Sequence, residues 1–431
     1  MRRTGERRLR DSPRLGPLRT ADFRRFYAAQ VLSRLGDGVI PVALTFAILG
    51  WFHSATSIGI VLAARTIAQG AGFLVAGAVA DRLPRLRLMV LSSSFRAGTQ
   101  ALLGALVITR TGSLWQIVLL QIVTGAVSAG DRPAVVGLVP ALVAENDVQS
   151  ANALIGLSQG LGLVVGPAAA GVLLAVTNPG WALVFDAATF VGGALLLSRV
   201  HVQATQRAPR EPWRLLASLG EGWRVVTGRA WLWLGILNFG LQQFVAVGVF
   251  FVVGPLVAAR NLGGSSAWAT IMAAEALGGL AGGVLALRLR PKRPLAAAFA
   301  SFLGFVPPLV LLAQAAPTIA IAAGALLGGA GAPFADALWY TAIQKHLPAD
   351  VLSRVSAFDY LGSKIFQSLG FAVAGWAAAR AGPSATLWTA AAVFGFTSTL
   401  MLLLILRHEA GVRGPQKPER LEDNAAELEA W

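Results

Sequence analysis

The chain has 431 residues, of which 55% are hydrophobic and only 13% are charged, about half the charged share of an ordinary soluble domain. This balance, with a mean hydropathy of +0.63, excludes a disordered chain and is atypical of a soluble enzyme. The sequence contains no cysteine, which excludes disulfides, thiol nucleophiles and cysteine-ligated metals. A formal net charge of +15 would suit a nucleic-acid-binding protein, unless the positions of the basic residues explain it differently.

Apolar segments follow one another along the chain with short polar breaks, and twelve can be placed. A helix needs about 20 mostly apolar residues to cross a bilayer, so each segment predicts one membrane-spanning helix. Glycine and alanine dominate the segments, as in helices that pack closely within lipid. The predicted spans are 26–51, 57–80, 88–109, 114–138, 151–176, 180–199, 230–257, 266–287, 295–314, 317–342, 355–379 and 384–406.

The basic residues lie almost entirely on one predicted side of the membrane. With the N-terminus in the cytoplasm, 28 of the 36 Lys and Arg residues fall on the cytoplasmic side, three on the opposite side and five within spans. The positive-inside rule therefore predicts a multi-pass protein of the inner (plasma) membrane with both termini cytoplasmic, and removes the argument for nucleic acid. Tryptophans near the opposite helix ends are expected to form an aromatic belt; they are Trp51, Trp115, Trp181, Trp268 and Trp388.

These boundaries predict five regions along the chain. Residues 1–25 form a basic cytoplasmic N-terminus, and residues 26–199 form a first bundle of six helices. Residues 200–229 form a cytoplasmic linker, in which apolar residues at helical spacing predict an interfacial amphipathic helix. Residues 230–406 form a second six-helix bundle, and residues 407–431 form a cytoplasmic tail.

The two predicted bundles share short sequence matches in corresponding helices. In the second and eighth predicted spans, GAVADRL at 77–83 matches GVLALRL at 283–289. In the fifth and eleventh, GPAAAG at 166–171 matches GFAVAG at 370–375 with nearly the same separation along the chain. Six helices per copy is an even number, so the copies run in the same sense and are expected to be parallel repeats.

The loop after the second predicted span resembles the cytoplasmic signature of the major facilitator superfamily, G-x-x-x-D-R-x-G-R-R/K. The matching residues are Gly77, Asp81, Arg82 and Arg85. Pro84 stands where the second glycine is usual, and Leu86 stands where a second base is usual. The resemblance implies an all-α membrane fold of twelve helices in two six-helix repeats, with small-molecule transport by alternating access.

The same resemblance gives this loop a gating role, in which its charges lock the two bundles in one state. Asp131 and Arg132, near the cytoplasmic end of the fourth predicted span, are the expected partners of the loop. Ordinary positive-inside loop charges would produce a similar pattern without any gating.

The fifth predicted span resembles the antiporter-associated motif of the superfamily, G-x-x-x-G-P-x-x-G-G. The matching residues are Gly162, Gly166, Pro167 and Gly171, and only Ala170 departs. Glycines at this spacing clear one helix face, and a proline bends the helix; generic packing of small residues is the alternative. In the fourth span, Gln121 stands where the family motif R-x-x-Q-G has its arginine, which argues against a proton relay through that helix.

Four short stretches resemble the bacterial multidrug, macrolide and siderophore exporter branch; they are residues 23–24, 33–37, 138–140 and 150–154. The resemblance implies a secondary transporter that exports an amphipathic organic compound in exchange for protons. It is expected to be a monomer in the lipid bilayer, without cofactor or metal. An importer of sugars or small metabolites on the same fold is the alternative. Neither an enzyme nor a sensor is indicated, and the chain lacks the P-loop of an ATP-driven pump.

Ionisable residues inside spans are costly, and they usually face each other or a cavity. Arg34 and Asp37 are three residues apart on one helix, so they either neutralise each other or leave Asp37 to bind the coupling proton. Arg65 and Arg96 require anionic partners or water, and Asp37 is the candidate partner of Arg65. Glu275 is isolated in the eighth span, which suits either proton binding or a neutral structural acid.

Other polar residues inside spans are weaker candidates for the substrate or proton cavity. Asp186, Asp336 and the region of Asp359 and Lys364 carry charge at membrane depth. Asn238 and Gln242 are four residues apart on the seventh span, so they could hydrogen-bond a substrate or bridge two helices.

Overall fold

The computed structural model describes residues 13–80, 84–144, 147–202, 223–347 and 349–411. Regular structure in this part of the chain is entirely helical. The first six spans are Ala21–Phe52, Ala55–Ala80, Arg85–Thr109, Leu114–Ser128 continued by Asp131–Leu142, Val148–Val176, and Pro179–Leu197. Spans 7 to 12 are Trp231–Leu262, Ser265–Arg288, Pro294–Ala313, Thr318–His346, Ala349–Ala381 and Pro383–Gly411.

Eight of these helices are long and apolar enough to cross a membrane, namely spans 1, 5 to 10 and 12. Spans 2, 3 and 11 are helices of 26, 25 and 33 residues. Span 4 consists of two helices of 15 and 12 residues that are separated at Ala129 and Gly130. The structure thus has the predicted layout of twelve helices in an all-α membrane fold.

Successive spans alternate in direction, so their connections lie on two sides. We call the side on which span 1 begins and span 12 ends the terminal side, and the opposite side the distal side. Distal turns are short because the helix ends are sharply capped. His53 and Arg110 end spans 1 and 3 in the left-handed conformation, and the Asn178 side chain accepts a hydrogen bond from the backbone N–H of Gly180 at the start of span 6 (2.8 Å).

Each half is held together by the same kinds of helix pairs. Span 1 packs on spans 5 and 6, span 2 on span 4, and span 3 on span 6. In the second half, span 7 packs on span 11, span 8 on span 10, and span 9 on spans 10 and 12. The halves meet mainly through two pairs of helices, span 2 with span 11 and span 5 with span 8.

Close glycine contacts define how the two repeats correspond. Gly38 lies against Gly166 where spans 1 and 5 cross, and Gly248 lies against Gly370 where spans 7 and 11 cross. Gly38 therefore corresponds to Gly248, and Gly166 corresponds to Gly370. The sequence match between spans 5 and 11 begins with this second pair of glycines, so it agrees with the contacts.

The other sequence match lies one helical turn from the correspondence in the structure. Gly72 contacts Ala126 across spans 2 and 4, and Gly282 contacts Ala330 across spans 8 and 10. Gly72 therefore corresponds to Gly282, whereas the sequence match would pair it with Gly278. Gly278 lies about one helical turn before Gly282. In a Gly/Ala-rich segment, an alignment that is wrong by one turn therefore still pairs residues on the same helix face.

Large apolar side chains cover the outside of the bundle, as lipid contact requires. Trp115, Trp181 and Trp388 are exposed near distal helix ends, as expected of an aromatic belt. The prediction for Trp268 is wrong, because this residue is fully buried with its ring 5.0 Å from that of Phe250. A position near a helix end does not reveal whether the side chain points outward or into the bundle.

The helix boundaries differ from the predicted ones mainly at charged ends. Span 1 starts at Ala21 and span 11 at Ala349, five and six residues before the predicted starts. An apolar run marks the part of a helix in hydrocarbon, whereas the helix itself continues through polar residues at the membrane surface. The predicted linker helix falls mostly on residues 203–222, outside the described residues.

Candidate functional site

Asp37 is the centre of a charged cluster inside the first half. It lies near the middle of span 1, and three guanidinium groups surround its carboxylate. Arg34 Nη1 is 3.7 Å from Oδ2, and Arg65 Nη2 of span 2 is 3.9 Å from Oδ1. Arg96 of span 3 donates a hydrogen bond from Nη2 to Oδ1 and is the closest of the three. One carboxylate therefore serves three cations carried by three helices.

Arg96 connects this carboxylate to a second acid in span 4. Its Nη1 donates to Asp131 Oδ2 at 3.1 Å, and Ser92 Oγ donates to the other oxygen of Asp131 at 2.6 Å. The guanidinium also lies over the ring of Phe190 of span 6, 3.9 Å from the ring centroid. Arg96 is only 6% exposed, so its bonds join spans 1, 3 and 4 where water has little access.

A layer of neutral polar side chains supports the cluster. Gln121 Oε1 accepts a hydrogen bond from Arg65 Nη1 at 3.4 Å, and Gln100 Nε2 donates to Asp186 Oδ2 at 2.7 Å. Thr99 and Thr124 share a hydrogen bond of 2.9 Å between spans 3 and 4. The sequence alone does not predict that these groups belong to the cluster, and Gln121 stands out in it only as a departure from the family motif. A guanidinium nevertheless lies beside Gln121, and it is carried by Arg65 of span 2.

The glycines of the antiporter-like motif allow span 5 to approach the helix that carries Arg34 and Asp37. Gly162 lies against the backbone carbonyl of Arg34, and Gly166 lies against Gly38. A Cβ atom at Gly162 or Gly166 would meet backbone atoms of span 1. The glycines therefore set the position of the cluster relative to span 5.

The remaining motif residues lie further along span 5, toward the distal side. Pro167 lies inside the helix, and Gly171 faces the side chain of Ala269 in span 8. The motif thus contacts span 1 of its own half and span 8 of the other half. One part of the motif therefore packs within the first half, and the other part lies at the interface between the two halves.

The predicted gating residues are only partly described. Asp81 and Arg82 lie outside the described residues, and Gly77 lies near the end of span 2. Arg85 is the first residue of span 3, and Arg132 is the second residue of the helix Asp131–Leu142. Asp131 is bound by Ser92 and Arg96, both in span 3. The predicted contact of Asp131 with the loop remains a prediction.

In the second half, Glu275 lies near the middle of span 8 and is partly buried. It makes no hydrogen bond or ion pair with another described residue. The backbone of Glu275 lies against Gly329 of span 10, just as the backbone of Arg65 lies against Gly125 of span 4. The isolation predicted from sequence therefore holds within the described part of the chain.

The other candidates of the second half lie apart from Glu275. Gln242 Nε2 donates to Asn238 Oδ1 at 2.7 Å, so this pair bonds within its own helix instead of bridging two helices. Tyr340 donates to Asp359 Oδ2 at 3.2 Å, and Asp336 is exposed one turn before Tyr340. Lys364 donates to Gln367 Oε1 at 3.0 Å, and Gln367 in turn donates to Gln243 at 3.5 Å.

Two six-helix halves that meet at spans 2, 5, 8 and 11 and enclose charged residues at mid-helix define a multi-pass membrane transporter. The family comparison agrees, because a model described as Major Facilitator Superfamily matches residues 26–359. The chain belongs to the major facilitator superfamily.

Relatives of known function share about a quarter of the sequence. The chain is 27% identical over 416 residues to the enterobactin exporter EntS of Citrobacter koseri, covering 94% of this chain and 95% of that protein. It is 28% identical over 405 residues to the same exporter of Escherichia coli, covering 90% and 92%.

Solved structures show the same fold at lower identity. The nucleoside transporter NupG superposes with a TM-score of 0.70 at 14% identity, covering 90% of this chain and 98% of that one. The D-xylose-proton symporter superposes with a TM-score of 0.67 at 13% identity, covering 89% and 96%. A bacterial homologue of the iron transporter ferroportin gives 0.65 at 16% identity, covering 89% and 98%. The fold is therefore shared by transporters of different substrates.

Proposed function

We propose that this protein is a proton-driven exporter of a small amphipathic organic compound, working by alternating access between its two halves. The named relatives are exporters, whereas the fold is also that of a proton symporter, so the direction rests on the relatives. The observation that supports transport chemistry best is the network of Asp37, Arg96 and Asp131 across spans 1, 3 and 4.

Protonation of Asp37 would change the packing of the first half. An ionised Asp37 holds Arg96 by a hydrogen bond and attracts Arg34 and Arg65 at longer range. A neutral Asp37 would lose this attraction, leaving Arg96 to Asp131 and freeing Arg34 and Arg65. A proton at Asp37 would therefore alter how span 1 is tied to spans 2 and 3, as coupling requires.

Glu275 is the second candidate for the coupling proton. An acid without an ion-pair partner among the described residues, in the middle of a span, is expected to gain and lose a proton with the access of water. Span 8 also packs on span 5 of the other half, so a charge change there acts near the moving surface.

The arrangement of the halves favours a state closed on the distal side. Thr56 of span 2 donates a hydrogen bond to the carbonyl of Gly375 of span 11 at 3.2 Å, and Gly59 lies against the backbone of Phe371. Toward the terminal side, the same two helices meet through side chains, with the rings of Phe73 and Tyr360 5.0 Å apart. Backbone contact at one end and side-chain contact at the other fit a hinged opening toward the terminal side.

We further propose that the terminal side is cytoplasmic, with the protein a monomer in the inner membrane, as the distribution of basic residues predicts. The loop residues Asp81 and Arg82 and their neighbours would then lock or release the halves at the cytoplasmic face. No residue is assigned to the making or breaking of bonds in a substrate, and the proposed activity is transport alone.

Export is tested in inside-out vesicles from an efflux-deficient host that expresses the chain, with a panel of amphipathic compounds. We expect at least one compound to accumulate in the vesicles when their interior is made more acidic than the outside. The compound should leave the vesicles when this proton gradient is collapsed. Accumulation that is insensitive to the gradient, or uptake only in right-side-out vesicles, would contradict proton-driven export.

A further inference from the structure

We infer that the Asp37 cluster forms an anion-binding site, so that the exported compound carries a negatively charged group at transport. This inference rests on the proposed transport function and adds the chemical class of the substrate. It is carried by an imbalance between guanidinium groups and carboxylates within ion-pair distance of one another.

The cluster holds three cations and two anions in mutual contact. Arg34, Arg65 and Arg96 lie within 4 Å of Asp37, and Arg96 alone also reaches Asp131. Asp186 of span 6 is close enough to attract Arg65 and Arg96 electrostatically. It forms no ion pair within 4 Å with a described residue, and its carboxylate accepts a hydrogen bond from the neutral amide of Gln100. One positive charge therefore has no carboxylate of its own in ion-pair contact.

The excess charge lies on Arg34 and Arg65. Arg96 takes the short hydrogen bond to Asp37, whereas the other two stand at 3.7 and 3.9 Å. A guanidinium has five N–H donors, but Arg34 makes no hydrogen bond with another described residue, and its Nε is buried without a partner. Within the described part of the chain, Arg65 makes one long hydrogen bond, to Gln121. Both groups have donors to spare for a ligand.

A ligand could reach these donors. The side chains of Arg34 and Arg65 are 30% and 22% exposed, while Arg96 is 6% exposed. The buried arginine thus holds the helices together, and the two accessible arginines are left with weak partners. A carboxylate, sulfonate or phenolate oxygen is what two such guanidinium groups would bind, because both are donors only.

Asp37 would then act as a competitor of the ligand. The ligand anion and the Asp37 carboxylate would attract the same guanidinium groups, so binding of one weakens the hold of the other. An anion bound at Arg34 and Arg65 would therefore loosen the contacts of these two groups with Asp37, and removing the Asp37 charge by substitution would leave both groups to the anion.

The test uses full-length protein in detergent with matched pairs of probes: 2-naphthoate and 2-naphthamide, salicylate and salicylamide, and octanoate and octanamide. Binding is measured as the concentration-dependent rise of the unfolding midpoint and by saturation binding. We expect at least one acid to bind more tightly than its amide. Equal binding within all three pairs, or no binding by any acid, would overturn the inference.

Variants separate an anion site from a structural role. Arg34→Gln and Arg65→Gln should each weaken binding of the acid by at least about tenfold, and Arg65→Lys should bind it better than Arg65→Gln. Asp37→Asn should bind the acid more tightly than the unaltered protein. Arg380→Gln is the control, because Arg380 lies over the ring of Trp376 at the distal end of span 11. Weaker binding by Asp37→Asn, or unchanged binding by both glutamine variants, would contradict the site.

Transport of the same pairs into proteoliposomes distinguishes this inference from the proposed function. Binding of acids without gradient-driven transport would keep the anion site and contradict the exporter. Gradient-driven transport of the amides alone would keep the exporter and contradict the anion site.

Discussion

Arg65 and Glu275 occupy equivalent positions in the two halves and carry opposite charges. The backbone of Arg65 in span 2 lies against Gly125 of span 4, and the backbone of Glu275 in span 8 lies against Gly329 of span 10. The same shift along the sequence relates Gly72 of span 2 to Gly282 of span 8. The contact at Arg65 and Glu275 and the contact at these glycines therefore follow one repeat register.

The two positions differ in what surrounds them. Arg65 faces Asp37 at 3.9 Å and Gln121 at 3.4 Å, whereas Glu275 makes no hydrogen bond or ion pair among the described residues. The duplicated scaffold thus places a paired cation in one half and an isolated acid in the other. The first half therefore has a charge network at this position, and the second half has an isolated acid there.

Replacing Arg96 by methionine should destabilise the protein strongly. Removing one partner of a buried ion pair leaves the other partner insufficiently compensated, which costs about 3–5 kcal/mol. Asp37 would keep only its two longer ion pairs, and Asp131 would keep only Ser92. The free energy of unfolding in detergent, measured by denaturant titration, should fall accordingly.

Arg380→Met is a matched control for this substitution, because it removes an exposed arginine that lies over Trp376. It should change the unfolding free energy by less than about 1 kcal/mol. Equal stability losses for the two variants would show that the network does not stabilise the first half.

Gly166→Ala should disturb the crossing of spans 1 and 5. Its Cβ would meet the backbone of Gly38, so the helices must move apart or strain, and overpacking of this kind costs about 1–3 kcal/mol. Because Asp37 is the neighbour of Gly38 in sequence, transport should fall as well as the unfolding midpoint.

Gly98→Ala is the control for added volume, since no heavy atom outside its own helix lies within 4 Å of a Cβ at this position. It should leave stability unchanged or slightly raised, because alanine favours a helix. If Gly166→Ala behaved like Gly98→Ala, the antiporter-like motif would be ordinary small-residue composition.

Asp81→Asn should shift the balance between the two access states if the loop locks the halves. Because the chain has no native cysteine, spin labels can be attached to cysteines introduced in pairs. One pair replaces Thr111 and Ile319 on the distal side, and the other replaces Arg87 and Leu289 on the terminal side. We expect the two pairs of distance distributions to change in opposite directions. Unchanged distributions in both pairs would contradict a gating role of Asp81.

The spans could be predicted from the sequence because hydrocarbon selects for composition. An apolar run of the right length defines a helix such as span 6 within a few residues, and the cap at Asn178 and Pro179 marks its start. Breaks inside a span leave a weaker signal. The interruption of span 4 at Ala129 and Gly130, and the π-helical turn Gln243–Val247 in span 7, depend on packing that composition does not encode.

The members of the charged cluster could be predicted one by one, but not their pairing. Charge at membrane depth singled out Arg34, Asp37, Arg65 and Arg96. Spacing along one helix suggested the Arg34–Asp37 pair, yet the closest partner of Asp37 is Arg96, 59 residues away in sequence. Such a contact depends on how spans 1 and 3 pack, which a single sequence does not reveal.

A proton on Asp37 or Glu275 is proposed to drive export, and gradient-driven transport by Asp37→Asn and Glu275→Gln tests this coupling most directly. Both variants are reconstituted in proteoliposomes with a transported compound, and folding is checked by the unfolding midpoint. We predict that at least one variant loses proton-driven transport while still binding the compound. Wild-type transport rates in both variants would contradict the claim.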